Sequence, residues 1–197
     1  MTPTRTTDDR TLTAEEFLAE YGHLSGVELV RGKVVWEGKA AAPQEQPMPK
    51  FRHGVVSYRA VRLLSDFIEA NRLGWVAIND TFVRTENTVP ATVRGADALF
   101  VSFNRLPEGD PPEDLTVPPD LVVEVRSPSD KWSKSFAKVG EYLTAGVTVV
   151  LVLDPHTESA SVFRQDELQQ IFHNGDEFTL PDVLPGFAVP VRRFFER

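Results

Sequence analysis

Two carboxylates stand where strands of a core should be apolar. Asp97 interrupts GADALFVS, and Glu124 interrupts LVVEVRS. Burying an unpaired carboxylate is expensive, so each needs a cation, a metal or hydrogen bonds. Side chains alternate along a strand, which puts Glu124 and Arg126 on one face and Val123 and Val125 on the other. Acidic and basic groups projecting side by side, with a second acid nearby, suit hydrolysis of a phosphodiester. The carboxylates would hold a hard divalent cation through oxygen. That cation activates water and balances charge on the phosphate, and the neighbouring basic group orients water or stabilises the transition state. The competing reading is purely structural: a Glu124–Arg126 salt bridge, with Asp97 capping a turn. Paired carboxylates also serve glycoside hydrolysis, and no residue here favours sugar over phosphate.

Other residues could join these two. Glu28, in VELVRGKVV, is either a third acid of the site or an outward-facing strand residue. His53 opens a long helix, where it can meet a phosphate, act as an acid–base group or be merely structural. Lys131, Lys134 and Lys138 follow Arg126 and, with Asp130, leave a local balance of +3. A second basic stretch from Arg31 to Arg62 has a balance of +5. Such clusters fit local phosphate binding, or simply solvated faces. On an ideal helix Lys138 shares a side with Lys134, Glu141 and Tyr142, opposite Phe136, Val139 and Leu143. Periodicity alone therefore puts Lys138 at the surface, with Tyr142 one turn on and able to stack beside it. Trp36, Trp75 and Trp132 read as packing residues. There is no GxSxG elbow, HExxH or dinucleotide fingerprint.

These residues need elements to position them. LTAEEFLAEYG reads as a helix with Thr13 and Glu16 as a capping box and Gly22 beyond its end. VELVRGKVVWEG reads as a hairpin turning at Arg31-Gly32-Lys33, and AAAPQEQPMPK as a Pro-rich loop. From His53 to about Asn71 the apolar positions Val56, Ala60, Leu63, Leu64 and Phe67 recur at helical spacing. WVAI, TFVR and ADALFVS are short strands, and LPEGDPPEDLTVPP an exposed acidic connection. LVVEV, the turn SPSD, the helix KWSKSFAKVGEYLTAG and the apolar VTVVLVLDP form a strand–helix–strand crossover in a covered sheet. Ser129 or Asp130 would cap that helix and Gly146 close it. ASVFRQDELQQIFHNGDEFTL reads as an antiparallel meander, and PDVLPGFAVPVRRFF as a closing segment.

Composition frames the reading. The chain has 197 residues, is 41% hydrophobic and 25% charged, and carries a formal charge of −8. That length suits a single domain over 12–197 after a loose, Thr-rich tail at 1–11. The acidic balance excludes histone-like coating of nucleic acid but permits a local site. Absence of cysteine excludes disulfides and thiolate metal sites. The apolar run Val149–Leu153 is far too short to cross a membrane, and MTPTRTTDDRTLTAEEF lacks the apolar core of a signal peptide, so a cytoplasmic protein that does not contact membranes is the expectation.

PDLVVEVRSPSDKWSKSFAKVGEYLTAGVTVVLVLDP resembles the signature region of the Uma-type restriction endonuclease family, within the PD-(D/E)XK nuclease superfamily. LTAEEFLAEYG with VELVRGKVV, His53, VRGADALFVSFNRLP and DVLPGFAVPVRRFF resemble its flanking segments, so the likeness runs from about Leu12 to Phe195. It implies an α/β, restriction-endonuclease-like fold with a mixed central β-sheet flanked by α-helices. By the same likeness Asp97 is the first motif acid, Glu124 the second, and Glu28 the acid of the first hairpin. These three would bind Mg2+ or Mn2+. Arg126 stands where the superfamily has Lys. It cannot deprotonate and is a forked donor, so it is no equivalent water activator. Lys138 resembles the migrated replacement. Ala96 stands where the family commonly has Pro. The implied activity is a Mg2+-dependent endodeoxyribonuclease that leaves a 5′-phosphate. DNA would be the partner, with His53, Lys131, Lys134 and Tyr142 on its phosphates. A homodimer would suit cutting of both strands, though no stretch marks an interface. The alternative is the same fold kept as a DNA-binding or protein-interaction module without turnover, which the Arg126 departure favours.

Overall fold

The computed structural model of the chain describes residues 10–36, 51–127 and 131–196. Helix α1 (Ala14–Tyr21) starts at the capping box read from the sequence. The Thr13 hydroxyl accepts from the Glu16 N–H at 3.2 Å, and the Glu16 carboxylate accepts from the Thr13 N–H at 2.9 Å. Strands β1 (Val27–Val30) and β2 (Lys33–Trp36) form the expected hairpin. Its two turn residues, Arg31 (φ 49°) and Gly32 (φ 74°), are both left-handed, as a two-residue hairpin turn requires. A Cβ on Gly32 would also lie 2.3 Å from the Thr11 side chain.

Helix α2 (Phe51–Ala70) buries Val56, Ala60 and Leu64 of the expected stripe, with Ile68 one turn on, while Leu63 and Phe67 of that stripe are half-buried against the core. Strands β3 (Gly74–Glu86) and β4 (Thr92–Ser102) pair along their whole length. The two short strands expected at WVAI and TFVR are thus one long strand. Its register shifts at a bulge, Asn79-Asp80, where both residues are left-handed (φ 64° and 57°), and again between Arg84 and Glu86. Strand β5 (Leu121–Val125), helix α3 (Trp132–Thr144) and strand β6 (Val149–Asp154) make the expected crossover, with β5 and β6 parallel in register. Gly146, at φ 95°, follows the end of α3. The expected cap at Ser129 or Asp130 and the loop AAAPQEQPMPK lie outside the described residues.

Strands β7 (Ser159–Phe163) and β8 (Gln170–Phe172) complete an eight-stranded mixed sheet in the order β2-β1-β4-β5-β6-β7-β8, with β3 on β4. The expected meander is corrected at its last strand. Strand β9 (Glu177–Leu180) leaves the large sheet and pairs with β10 (Leu184–Pro190) in a separate two-stranded sheet. The large sheet has two apolar faces. On one, α2, the small sheet and a 3-10 turn (Val191–Phe194) cover Val123, Val125, Leu151 and Leu153. On the other, α3 covers Leu99, Val101, Val122, Val150 and Val152.

The sheet is interrupted where the chemistry lies. Strand β3 takes one edge of β4. The other edge is shared, β1 pairing at Val93 and β5 at Ala98 to Phe100. Between them, from Arg94 to Asp97, no strand among the described residues completes the ladder on that edge. Buried backbone groups there must find other partners.

Candidate active site

Side chains fill the gap in the ladder. The Gly95 N–H donates to Glu28 Oε1 at 3.3 Å, and the Gly95 carbonyl accepts from Lys138 Nζ at 3.0 Å. Beyond the last β4–β5 pair, Ala98 with Val123, the next residues along each strand are Asp97 and Glu124. Asp97 Oδ2 accepts from the Val125 N–H at 2.6 Å, in place of a backbone carbonyl. Asp97 and Glu124 therefore sit side by side at the end of a ladder.

Lys138 joins the acids. Its ammonium lies 3.0 Å and 3.1 Å from the two oxygens of Glu124 and 3.2 Å from Glu28 Oε1. It is 7% exposed, and Tyr142 one turn on is 0% exposed. This corrects the surface placement that periodicity gave Lys138. Helix α3 buries two faces, Val139 against the sheet core and Lys138 with Tyr142 against the gap at Gly95. It also corrects the reading of Tyr142 as a phosphate or base contact, because a fully buried ring meets no nucleic acid. The Tyr142 hydroxyl is 2.8 Å from Glu124 Oε1 and 3.2 Å from the Gly95 carbonyl. Its single proton serves the nearer carboxylate.

Glu28 is 1% exposed, so it belongs to the interior of the site rather than to the outer face of its strand. Its Oε2 accepts from Arg94 Nη1 at 2.8 Å. Arg94 also grips Glu141 of α3 with two further bonds, at 2.6 Å and 2.9 Å. A chain of alternating charge, Glu141–Arg94–Glu28–Lys138–Glu124, thus ties β1, β4, β5 and α3 together. Bidentate Arg–carboxylate geometry makes its outer link stiff. Burial pushes Glu28 up, but Lys138 and Arg94 outweigh it and hold the carboxyl below its ordinary range. Glu124 goes the other way. Burial, reinforced by Asp97 and opposed by Lys138 and Tyr142, pushes it up to about 7.

His53, at the start of α2, reaches the same place from the other face, with Nε2 3.5 Å from Asp97 Oδ2. Arg126 lies at the end of β5. It pairs with Asp154 at the end of β6 and lies over the Trp132 ring, 4.1 Å from its centroid. The cation beside Glu124 is Lys138. Lys131 and Lys134 are exposed at the start of α3.

Three residues of this site were not foreseen: Arg94, Gly95 and Asp80. Arg94 is charged within an otherwise apolar strand, the same signal that singled out Asp97. Asp80 sits on the bulge and packs over Gly95, where an added Cβ would come within 3.2 Å of the Asp80 Cβ. Burial, reinforced by Asp97, raises the Asp80 carboxyl above its ordinary range, against the opposing pull of Lys138 and the Gly26 N–H. The Asn79-Asp80 pair, two residue types that tolerate the left-handed region, was the available signal for the bulge.

The donors that could hold a metal are the carboxylates Asp97 and Glu124, which are 19% and 18% exposed. Glu28 is committed to Arg94, Lys138 and the Gly95 N–H. Among the described residues no three or more His, Asp or Glu side chains form a ready-made cage. Two carboxylates nevertheless fit Mg2+, which keeps several waters and is bound through one or two carboxylates plus substrate phosphate.

A family model described as "Uma2: Putative restriction endonuclease" matches residues 15–192. Among solved structures, one described as "a putative nuclease belonging to DUF820" from Anabaena variabilis ATCC 29413 is similar at 17% identity. Its TM-score is 0.76, and the match covers 93% of this chain and 97% of that one. The likeness bears out the restriction-endonuclease-like mixed α/β fold. No curated protein matches the chain. Among the described residues no helix is long and apolar enough to cross a membrane.

Proposed function

The chain belongs to the family described as "Uma2: Putative restriction endonuclease", and from that premise we propose that it is a metal-dependent endonuclease that hydrolyses phosphodiester bonds of DNA. The observation that carries the reading is the meeting of Asp97, Glu124 and Lys138 from β4, β5 and α3 at a break in the sheet. Two acids that can hold a cation and one amine meet there from three elements. Asp97 and Glu124 would hold Mg2+ or Mn2+. That ion, when bound, supplies Lewis-acid stabilisation of phosphate charge and a more acidic water.

The chain's own groups supply the rest. Lys138 places its amine beside Glu124, where it orients water and balances charge that grows on the phosphate. Glu28 and Arg94 position that amine rather than touch substrate. Tyr142 holds Glu124 Oε1 in place. His53, beside Asp97, is set to meet a phosphate oxygen, and Lys131 and Lys134 line the approach from α3. Arg126 shapes the rim through Asp154 and Trp132. The test is incubation of plasmid and linear DNA with Mg2+ or Mn2+, with Asp97→Ala and Glu124→Ala as controls. Cleavage by the wild type and its loss in both variants, by 100-fold or more, is expected. Activity that survives both changes removes the assignment.

One observation favours the alternative of a binding module without turnover. Lys138 is engaged by both Glu28 and Glu124, so each of these acids already has a cation partner without a metal. Calorimetry separates the two: no heat with Mn2+, together with salt-sensitive DNA binding, selects the module.

A further inference from the structure

Away from the acids, α2 and the C-terminal 3-10 turn enclose a cleft of about 300 Å3 lined by Tyr58, Arg59, Arg62, Leu63, Arg193 and Glu196. Three guanidinium groups face one carboxylate there. Among the described residues neither Arg59 nor Arg193 has an ion-pair partner. Arg62 makes only a long, exposed contact of 3.8 Å with Asp66, and Glu196 lies 3.6 Å from Arg192. This crowding occurs in a chain with a net charge of −8, in which acids for pairing are plentiful. Helix α2 carries no acid from Phe51 to Ser65. Tyr58 adds a ring that is 64% exposed. Arginines that converge on a wet cleft beside an aromatic ring match the chemistry of phosphate and nucleic acid.

We propose that this cleft is a subsite for the phosphodiester backbone of DNA, outside the catalytic cluster. This rests on the nuclease reading for its substrate. Position supports it. His53, which touches Asp97, lies on the same helix. At 1.5 Å per residue, Arg59 is about 9 Å and Arg62 about 14 Å further along the axis. The role is positioning. The arginines hold the strand in register, and the acids do the chemistry.

The test is fluorescence anisotropy with a labelled 20-base-pair duplex in EDTA, over a range of salt, on the whole chain. The triple change Arg59→Ala, Arg62→Ala, Arg193→Ala should weaken binding by about tenfold or more. It should also lower the slope of log K against log salt by about two to three, since each lost phosphate contact removes about 0.9. The Lys triple, which keeps the charge, should restore the slope. Glu196→Gln, which removes the carboxylate in the cleft, should tighten binding. A wild type that does not bind the duplex overturns the proposal. So does an Ala triple with unchanged affinity and slope, or a Lys triple as weak as the Ala triple. Loss of self-association in place of DNA binding, read by sedimentation, would assign the cleft to a second copy of the chain and also overturn it. A wild type that binds through these arginines yet never cleaves with Mn2+ leaves the subsite standing and removes the nuclease reading instead.

Discussion

Replacing Glu124 by Gln isolates the burden that the site places on the fold. In the metal-free protein the carboxyl is pushed up to about 7 from the ordinary 4.5, so the native state binds a proton that the unfolded chain releases. Stability falls with rising pH wherever the native state binds more protons. Glu124 therefore destabilises progressively from about pH 4.5 to 7, and its burden levels off above pH 7. The shift of about 2.5 units corresponds to roughly 3 kcal/mol. Gln keeps the shape but does not titrate. It also leaves Tyr142 and Lys138 to share one carbonyl oxygen, with the Gly95 carbonyl as the second acceptor for both. That loss is nearly independent of pH and cancels when one variant is compared across pH. Urea unfolding in EDTA should show the stability of Glu124→Gln relative to wild type improving by about 2 to 3 kcal/mol between pH 5 and pH 8. Stability curves that stay parallel across that range would refute the account of a carboxylate ionised against its surroundings.

Two further outcomes follow from neighbouring residues. Lys138→Met removes the cation shared by Glu28 and Glu124. It should cost about 2 to 4 kcal/mol in urea melts, because a buried charge loses its partner, and should abolish cleavage at every pH tested. Gly95→Ala places a methyl group 3.2 Å from the Asp80 Cβ. It should cost about 1 to 2 kcal/mol through overpacking and lower kcat while leaving DNA affinity unchanged, read by parallel cleavage and anisotropy assays.

Much of this architecture is written locally. The Thr13–Glu16 box and the Arg31-Gly32 turn each depend on residues within a few positions of one another, and the β5–α3–β6 crossover on three consecutive elements. The chain folds there as their types dictate. Lys138 shows where local reading stops. Its helix has one apolar stripe, and nothing within it reveals that a second, polar face is covered too. That burial arises because Glu28, Gly95 and Glu124, distant in sequence, leave a polar gap in the sheet. Asp97 and Glu124 were visible because a carboxylate in an apolar strand conflicts with its surroundings. Asp80 was not, because a bulge shifts register without altering composition. Strand β9 looked like a continuation of the meander because alternation marks a strand but not its neighbour. Arg126 and Glu124 do alternate onto one face, but Asp154 and Trp132 compete for the guanidinium, and Lys138 takes the place beside Glu124.

The bond from the Val125 amide to Asp97 makes the protein its own indicator. A backbone proton is tethered to a carboxylate oxygen that a metal or a phosphate would contend for. Any such arrival must redistribute electron density on Asp97 and so alter the resonance and the solvent exchange of that one amide. An unlabelled ligand can thus be titrated from a single peak in a 15N spectrum, independently of turnover, with the amides of the β5–β6 ladder as internal references.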